Sequence, residues 1–430
     1  MDTVPCGEAV TAAGAVLPAR VQEVLGELVG AAREGLLALS VGVGLGVLAE
    51  LLEEEVVGVV GPKGKHDPDR AAVRHGHEAG EVTLGARRIG LDRPRVRTSD
   101  GSREVALATY QHFADRDPLT AGVMERMLAG VSTRRYRRAQ EPVGAEVEHA
   151  ARSTSKSAVS RSFVARTAET LAELMHRRLD DVRVAVLMVD GIDLKGRTNV
   201  VCLGITTEGV KIPLGLWEGS TENAAVATAL LSDLVDRGLD TSQGVLCVLD
   251  GAKALRKAVR DVLGPVPVQR CIRHKERNVL DHLAERDRLL VKQQLRRAWA
   301  DTDHDRALEQ LRILTAELER SHPGAAASLR EGMTETLTLA RLGITGSLKR
   351  TLASTNPCES MIECVRRTSR NVKHWQSGEM ALRWTAAGML EAERQFRKII
   401  GYRDLAKLAV AIERDLTPTP TKEVDTLITA

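Results

Sequence analysis

The stretch VAVLMVDGIDLKG, residues 184–196, decides the fold of this chain. Six apolar residues run into Asp190, and an uninterrupted apolar run of this length predicts a buried β-strand. A carboxylate at the end of such a strand needs a physical reason, because burying a charge is costly unless the charge is paired or bound. The stretch therefore predicts a strand that delivers Asp190 to a functional site.

A second strand with the same ending follows 60 residues later. GVLCVLDGAKALRKAVRDVL (244–263) predicts an apolar strand that ends in Asp250 and continues into a helix. Between the two strands, residues 198–219 predict a hairpin turning at Glu208-Gly209, and residues 223–239 predict an amphipathic helix. Strand, strand, strand, helix, strand, helix is the order of an α/β ribonuclease H-like core, whose first and fourth strands are neighbours. Asp190 and Asp250 would then emerge together at the carboxyl ends of the strands.

Two carboxylates at one site indicate metal chemistry. Like charges held close together repel, so the pair either binds a proton or recruits a cation. Hard oxygen ligands beside phosphate suit Mg²⁺ or Mn²⁺, and two such ions can activate a water or a 3′-hydroxyl for phosphoryl transfer. The alternative is ordinary turn chemistry, since Asp followed by Gly is also common after a strand.

Composition sets bounds on the partners and the compartment. The 61 basic and 58 acidic residues leave a net charge of only +3, so any nucleic-acid surface must come from local clusters. The six cysteines are scattered through a long chain, which favours reduced thiols in the cytoplasm. The apolar run at 35–52 is interrupted by glycines and shorter than the ~20 residues of a membrane span, so it predicts a core or association helix.

Two basic clusters are candidates for DNA contacts. They lie in QRCIRHKERN (269–278) and in the segment after Glu359, where cationic side chains could grip the phosphate backbone without reading sequence. The alternative for the first cluster is a solvated helix face. The predicted DNA-binding residues are Arg270, Arg273, His274, Lys275, Arg277, Arg366, Arg367, Arg370 and Lys373.

The segment before residue 179 contains further DNA-binding signals. Residues 81–98 alternate with a strand-like period, carry several arginines and predict a basic hairpin in which LDRP forms a turn. From Asp117 to about Arg178 the pattern is helical, with a break at Gly130-Val131-Ser132 and a basic start to the next helix. A second helix pair follows, for which Ser153 or Ser155 is a natural N-cap. This order favours a helix-turn-helix, with a plain helical hairpin as the alternative.

Residues 281–350 carry a helical pattern almost throughout. Trp299 in this segment could stack on an unpaired base, but a core position is the better interpretation. Just before it, Cys271 and His274 have a spacing that zinc ligands use. Zinc usually needs four ligands and no second Cys/His pair stands nearby, so a packed thiol and a hydrogen-bonded histidine explain the pair without metal.

Several motifs in order resemble the Mutator-family transposases, in particular their bacterial insertion-sequence branch. The resemblance rests on DGIDLKG, LGITTEGVKIPLGLWEGSTENA, VLDGAKAL, VQRCIRHKERNVL and STNPCES, and it covers roughly residues 80 to 405. It implies a ribonuclease H-like core interrupted by a helical insertion, with a DDE triad that cuts and joins DNA ends. Matched residue by residue, the triad is Asp190, Asp250 and Glu359, and these three acids would hold Mg²⁺ or Mn²⁺. Asp193 and Glu363 are the competitors for the first and last positions.

These observations predict a six-part chain. The parts are an N-terminal helical region (1–75), a DNA-binding region (76–178), the first part of the core (179–280), a helical insertion (281–350), the second part of the core (351–415) and a loose tail (416–430).

The expected activity is that of a cytoplasmic, nucleoid-associated DNA transposase, active as a homodimer on terminal inverted repeats and target DNA and without a membrane role. Alternatives are a non-catalytic DNA-binding regulator descended from a transposase, or a ribonuclease H-like nuclease without strand transfer.

Overall fold

The computed structural model describes residues 36–65, 70–84, 87–115, 118–136, 156–219, 224–242 and 244–417. The chain folds as two compact units, one formed by residues 1–127 and 131–163, the other by 128–130 and 164–430. Both contain helices and sheet, so the protein is of mixed α/β class. Within the described residues, none of the helices combines the length and apolarity that a bilayer-spanning segment needs.

A long helix packed on a hairpin builds the first unit. Leu48, Leu52, Val56 and Val60 recur at every fourth position, so they share one face of helix α1 and pack against buried residues of the sheet. The predicted association helix therefore has a buried face. The elements are α1 (Leu36–Val60), β1 (Ala72–Leu84), β2 (Arg87–Thr98), β3 (Glu104–Val105), α2 (Ala108–Asp115) and α3 (Pro118–Leu128), with strand order β1-β2-β3.

The predicted hairpin at 81–98 is present, but the predicted turn at LDRP is wrong. Leu91 to Pro94 lie inside β2 and pair with β1, whose register shifts between Arg74 and His77, opposite Pro94. Gly76 in that shift has a φ of +77°. Proline has no N–H to give to a strand partner and is tolerated at a bulge, so it bends the pairing here without ending the strand. The loop between Leu84 and Arg87 lies outside the described residues.

The helix-turn-helix prediction stays a prediction. Helix α3 ends at Leu128, Gly130 follows with a φ of +94°, and the later helix α4 spans Lys156–His176. Residues 137–155, which include the proposed N-caps Ser153 and Ser155, lie outside the described residues.

A five-stranded sheet organises the second unit, in the order β6-β5-β4-β7-β8. β4 pairs antiparallel with β5 and parallel with β7, so the prediction that the strands carrying Asp190 and Asp250 are parallel neighbours is confirmed. The hairpin turning at Glu208-Gly209 is also confirmed. The elements are β4 (Val184–Asp193), β5 (Thr198–Thr206), β6 (Lys211–Gly219), α5 (Ala224–Asp236), β7 (Leu246–Leu249), α6 (Lys253–Leu263) and β8 (Val268–Arg270).

Alternate residues of β4 face opposite layers, as the pleat of a strand requires. Val186, Met188 and Ile192 belong to a core cluster shared with the C-terminal helices, whereas Leu187 and Val189 belong to a cluster shared with α5 and α6. Asp190 has the same parity as the first set. Its carboxylate therefore lies on the face covered by the C-terminal helices.

Helices fill the chain from residue 272 onward. They are α7 (Ile272–Leu280), α8 (Glu285–Ala300), α9 (His304–Ser321), α10 (Pro323–Arg330), α11 (Thr338–Arg341), α12 (Gly346–Leu352), α13 (Asn356–Thr368), α14 (Gly378–Gln395) and α15 (Leu405–Leu416), with 3₁₀ turns at Thr334–Leu337 and Tyr402–Asp404. Helices α7 to α10 share a hydrophobic cluster of their own. Trp299 belongs to it and its indole N–H donates to the Thr336 hydroxyl (3.1 Å), so the core interpretation of this residue is confirmed.

The cysteines of the described residues are free thiols. Cys202, Cys247, Cys271, Cys358 and Cys364 are all buried, as expected for reduced cysteines. Cys6 and the predicted loose tail from residue 418 onward lie outside the described residues.

Candidate active site

Asp190 is a buried carboxylate inside β4. It is 6% exposed, and its Oδ1 accepts a hydrogen bond from the Gly191 N–H (2.9 Å). The strand does not end at Asp190 as predicted but continues to Asp193, because β5 keeps pairing with β4 after β7 has stopped at the Val189–Leu249 pair. Asp190 therefore has strand pairing on one side only. Asp193, the competitor, accepts from the Gly196 N–H (3.0 Å) and closes the turn between β4 and β5.

Asp250 follows β7 directly, one residue after the last pair with β4. Its Oδ1 accepts from the Ala252 N–H (2.8 Å), so the residue does make the turn contact that was the alternative interpretation. Gly251 has a φ of +107°, and a Cβ at this position would fall on the Arg270 guanidinium. The Asp250-Gly251 pair thus forms part of the turn after β7. Because β7 is the neighbour of β4, the same position also brings Asp250 near Asp190.

Glu359 lies in the first turn of α13. Cys358, Met361, Ile362 and Val365 anchor this helix in the core cluster that it shares with β4. Glu359 lines a cleft together with Asp190, His274 and Glu363. Other residues of the same cleft are Gly191, Arg277, Asn356, Ser360, Ile362 and Arg366. The fold thus brings a residue 169 positions after Asp190 to the same cleft as that carboxylate.

The electrostatics of the cleft are dominated by burial and by close like charges. Burial raises the pKa of Asp190 to about 6, and the Asp250 charge adds to this, while the His274 charge and hydrogen bonds from Gly191 and Thr355 oppose it. The neighbouring Cys271 thiol, followed by the charges of Asp190 and Asp250, raises the pKa of His274 to about 9 against the effect of burial. The Asp250 charge therefore acts on both Asp190 and His274, so the three residues are near neighbours.

Two sets of donor groups at the cleft suit metal ions. Among the described residues, neither Asp190 nor Asp250 forms an ion pair with a lysine or arginine, and the positive charge that acts on Asp190 is that of His274. A pair of carboxylates without a lysine or arginine partner fits a hard divalent cation. The group whose ligand atoms all lie within 4.8 Å of one another, in the part of the chain that the structure describes, is Cys271, His274 and Glu359. The Glu359 carboxylate accordingly sits toward His274, with its Oε1 3.8 Å from Nε2. Asp190, Asp250 and Glu359 do not form such a group among the described residues, so a cation shared by all three acids requires side chains of the site to move.

Seven of the nine predicted DNA-binding residues reach the surface. His274 is partly buried in the cleft, and the other six are exposed: Arg273, Arg277, Arg366, Arg367, Arg370 and Lys373. Arg277 and Arg366 border the same cleft as the acids.

Arg270 and Lys275 are buried, and their cationic groups are hydrogen-bonded to backbone carbonyls of the chain itself. The Arg270 guanidinium donates to the Glu331 carbonyl (3.0 Å), and the Lys275 ammonium donates to the carbonyls of Glu331 (2.7 Å) and Ser328. An ammonium that is 0% exposed cannot meet a phosphate at the surface. The sequence shows only a cluster of basic residues. It could not reveal these contacts, because the acceptors are backbone atoms more than fifty residues further along the chain.

Thr355 was missed by the sequence interpretation. It is fully buried, and its hydroxyl donates to Glu359 Oε1 (3.1 Å). It stands four residues before Glu359 within the quoted STNPCES, which was the only available signal.

Comparison with known proteins finds transposases of insertion sequence elements. The transposase for insertion sequence element ISRM5 of Rhizobium meliloti (strain 1021) is 28% identical over 375 residues, covering 84% of this chain and 89% of that protein. A probable insertion-sequence transposase of Corynebacterium diphtheriae is 28% identical over 219 residues, covering 50% of this chain and 62% of that protein. The transposase for IS406 of Burkholderia multivorans (strain ATCC 17616 / 249) is 26% identical over 315 residues, covering 70% and 77%.

A family model described as "Transposase, Mutator family" matches residues 34–398. This range contains Asp190, Asp250 and Glu359 and most of both compact units. The chain belongs to the Mutator family of transposases.

Proposed function

We propose that this transposase cuts and joins DNA by metal-dependent phosphoryl transfer with Asp190, Asp250 and Glu359 as its catalytic acids. It would bind the terminal inverted repeats of a mobile element, hydrolyse phosphodiester bonds at the ends and transfer the freed 3′-hydroxyls into target DNA. The observation that carries the proposal is the parallel pairing of β4 and β7, which sets Asp190 and Asp250 on neighbouring strands beneath the helix that bears Glu359.

The sheet supports a ribonuclease H-like core. Three antiparallel strands in chain order are followed by two strands parallel to the first, in the order β6-β5-β4-β7-β8. In this proposal residues 179–280 and 351–415 form the two parts of the core, and the helices with their own hydrophobic cluster interrupt it between the second and third acids.

The three acids would hold Mg²⁺ or Mn²⁺. When bound, such ions activate the attacking water or 3′-hydroxyl and stabilise the leaving oxygen. The chain's own contribution is to keep Asp190 in a buried position where its ionised form is unfavourable without a cation, and to present Glu359 from a helix fixed in the core. Glu363, one helical turn further along the same cleft, is the competing third acid.

The DNA backbone would be held by the exposed basic residues beside the acids. Arg277 and Arg366 border the cleft, Arg273 and Arg367 lie on the same two helices, and Arg370 and Lys373 lie in the segment that follows α13. His274 also reaches the cleft and stays in the proposed set. We leave Arg270 and Lys275 out because they are buried. The N-terminal region would recognise the element ends, and coordination of two ends requires a homodimer with two active sites.

Incubation of the protein with labelled terminal DNA, a target plasmid and Mg²⁺ tests the proposal. The wild type should yield cleaved ends and strand-transfer products, and Asp190→Asn should yield neither while it still binds DNA. Asp193→Asn is the matched control, since it changes an aspartate of the same strand that is exposed and closes a turn. Equal cleavage by the wild type and Asp190→Asn would rule out the assigned site.

The same assay separates the alternatives. A regulator would bind the ends without cutting them, and a nuclease would cut without joining. All three acids are present in the chain, and the relatives are transposases, so neither alternative is favoured.

A further inference from the structure

Cys271 links the segments that carry the second and third acids. Its backbone N–H donates to the carbonyl of Leu249, the residue before Asp250 (2.7 Å). Its sulfur accepts from the backbone N–H of Thr355, four residues before Glu359 (3.4 Å). The next residue, Ile272, donates its N–H to the carbonyl of Ala353 (3.0 Å). One short segment therefore joins the end of β7 to the start of α13.

Thr355 continues this link to the carboxylates themselves. Its hydroxyl lies 3.1 Å from Glu359 Oε1 and 3.5 Å from the Cys271 sulfur, and it is near enough to Asp190 to lower the pKa of that carboxyl. The hydroxyl has one proton, which goes to a carboxylate in preference to sulfur because charged acceptors form the stronger bond. A single buried hydroxyl thus faces both Asp190 and Glu359.

Packing of α13 does not explain this contact. Cys358, Met361, Ile362 and Val365 already fix the helix in the core. Thr368, at the other end of α13, shows what a buried threonine does there for structure alone: its hydroxyl donates to the Val365 carbonyl (3.0 Å). The Thr355 hydroxyl instead meets a carboxylate at the mouth of the cleft.

We propose that Cys271 and Thr355 are positioning residues that hold the Glu359 carboxylate in the cleft that Asp190 also lines, and thereby set the affinity of the site for a divalent cation. This inference rests on the proposed function, in which these acids bind metal. It also assigns to the Cys271-x-x-His274 motif a role that requires no metal bound by the motif itself. In this role the cysteine positions Glu359, which lies 88 residues later in the chain.

Calorimetric titration of the full-length protein with Mn²⁺, in the absence of DNA, tests the inference without turnover. Thr355→Val removes the hydroxyl at nearly constant volume, and Thr355→Ser keeps it. Loss of a group that orients a metal ligand typically weakens metal binding 10- to 100-fold. We expect a Kd for Mn²⁺ raised by about this factor in Thr355→Val, a Kd near the wild-type value in Thr355→Ser, and a Kd raised about tenfold in Cys271→Ala.

Thr368→Val is the matched control, because it removes an equally buried hydroxyl from the same helix, and its Kd should stay at the wild-type value. Across the variants, the metal concentration needed for half-maximal DNA cleavage should rise in the same order as the Kd for Mn²⁺. The affinity for DNA should be unchanged. The inference would be overturned if Thr355→Val bound Mn²⁺ with the wild-type Kd, or if Thr355→Ser raised the Kd as much as Thr355→Val does.

Failure of the proposed function gives a different result. Wild-type protein that binds Mn²⁺ but neither cuts nor joins DNA would contradict the function and leave the positioning role to be decided by the variants. Wild-type protein that binds no Mn²⁺ would overturn both.

Discussion

At the scale of single residues, the burial of Asp190 carries an energetic cost when no metal is bound. The side chain is 6% exposed and its pKa is raised from 3.8 to about 6, so the folded protein holds this proton more tightly than the unfolded chain does. Stability is therefore lost as pH rises from about 4 to about 6, and the loss is complete above that range. The penalty belongs to the ionised carboxylate that metal binding is proposed to use.

Removal of the charge should stabilise the metal-free protein. We expect Asp190→Asn to raise the free energy of unfolding at pH 7 by about 3 kcal/mol, since the pKa is raised by roughly two units and each unit corresponds to about 1.4 kcal/mol. The gain should shrink to nothing as the pH falls to 4, where the wild-type carboxyl is protonated in the folded state. Urea denaturation of chelator-treated protein across this pH range measures both values. A gain that is the same at every pH would contradict the explanation.

Gly251 is the second residue whose substitution separates two effects. Alanine is strained at its φ of +107°, and its Cβ would also collide with the Arg270 guanidinium. Gly264 has a comparable φ of +74° with open space around it, so Gly264→Ala reports the backbone strain alone. We expect losses of about 1 kcal/mol for Gly264→Ala and about 2 to 4 kcal/mol for Gly251→Ala in urea denaturation. Equal losses would mean that Arg270 moves aside freely.

At the scale of secondary-structure elements, α7 and α13 each present a cationic side chain to the cleft that Asp190 and Glu359 line. Arg277 comes from α7 and Arg366 from α13, and both border the cleft. Such residues contact phosphates and carry no information about base sequence. In the proposed complex they would fix the DNA strand over the cleft.

Neutralisation of these arginines should weaken DNA binding in a way that salt reveals. Arg277→Gln and Arg366→Gln should each lower the affinity for terminal and unrelated DNA alike, and each should reduce the slope of log K against log salt by about 1. Fluorescence anisotropy at several salt concentrations measures the slope. Arg312→Gln, an exposed arginine of α9, is the control and should leave the slope unchanged. A loss confined to terminal DNA would instead indicate base recognition.

Elements were predictable where local pattern and long-range packing agree. β4, β7 and the 198–219 hairpin follow from apolar runs and turn residues, and their adjacency follows from topology. The turn predicted at LDRP was wrong because a proline can also lie opposite a bulge. The position of a bulge depends on the register of the partner strand. The prediction that Arg270 and Lys275 bind DNA was wrong because their hydrogen-bond partners come from the Glu331 region. No local sequence pattern places that region near them. Thr355 could be found only from coordinates, since its role depends on an atom-to-atom contact.

At the scale of the whole molecule, cation binding should change stability. A ligand that binds the folded state at 100 times its Kd stabilises that state by about 2.7 kcal/mol. We expect Mn²⁺ to raise the melting temperature of the wild type at pH 7, less at pH 5, where protons compete for Asp190, and hardly at all in Asp190→Asn. Differential scanning calorimetry with and without Mn²⁺ measures these shifts. An equal rise in wild type and Asp190→Asn would place the cation elsewhere.

The separate hydrophobic cluster of α7 to α10 lies in the chain between Asp250 and Glu359. During synthesis the ribosome therefore completes the strands with the first two acids long before it reaches the third. A prematurely terminated polypeptide therefore lacks the third proposed acid and also the C-terminal helices that cover one face of the sheet, so it has neither a complete core nor the means to break a strand. The order of segments along the chain thus makes cleavage depend on completion of the whole protein.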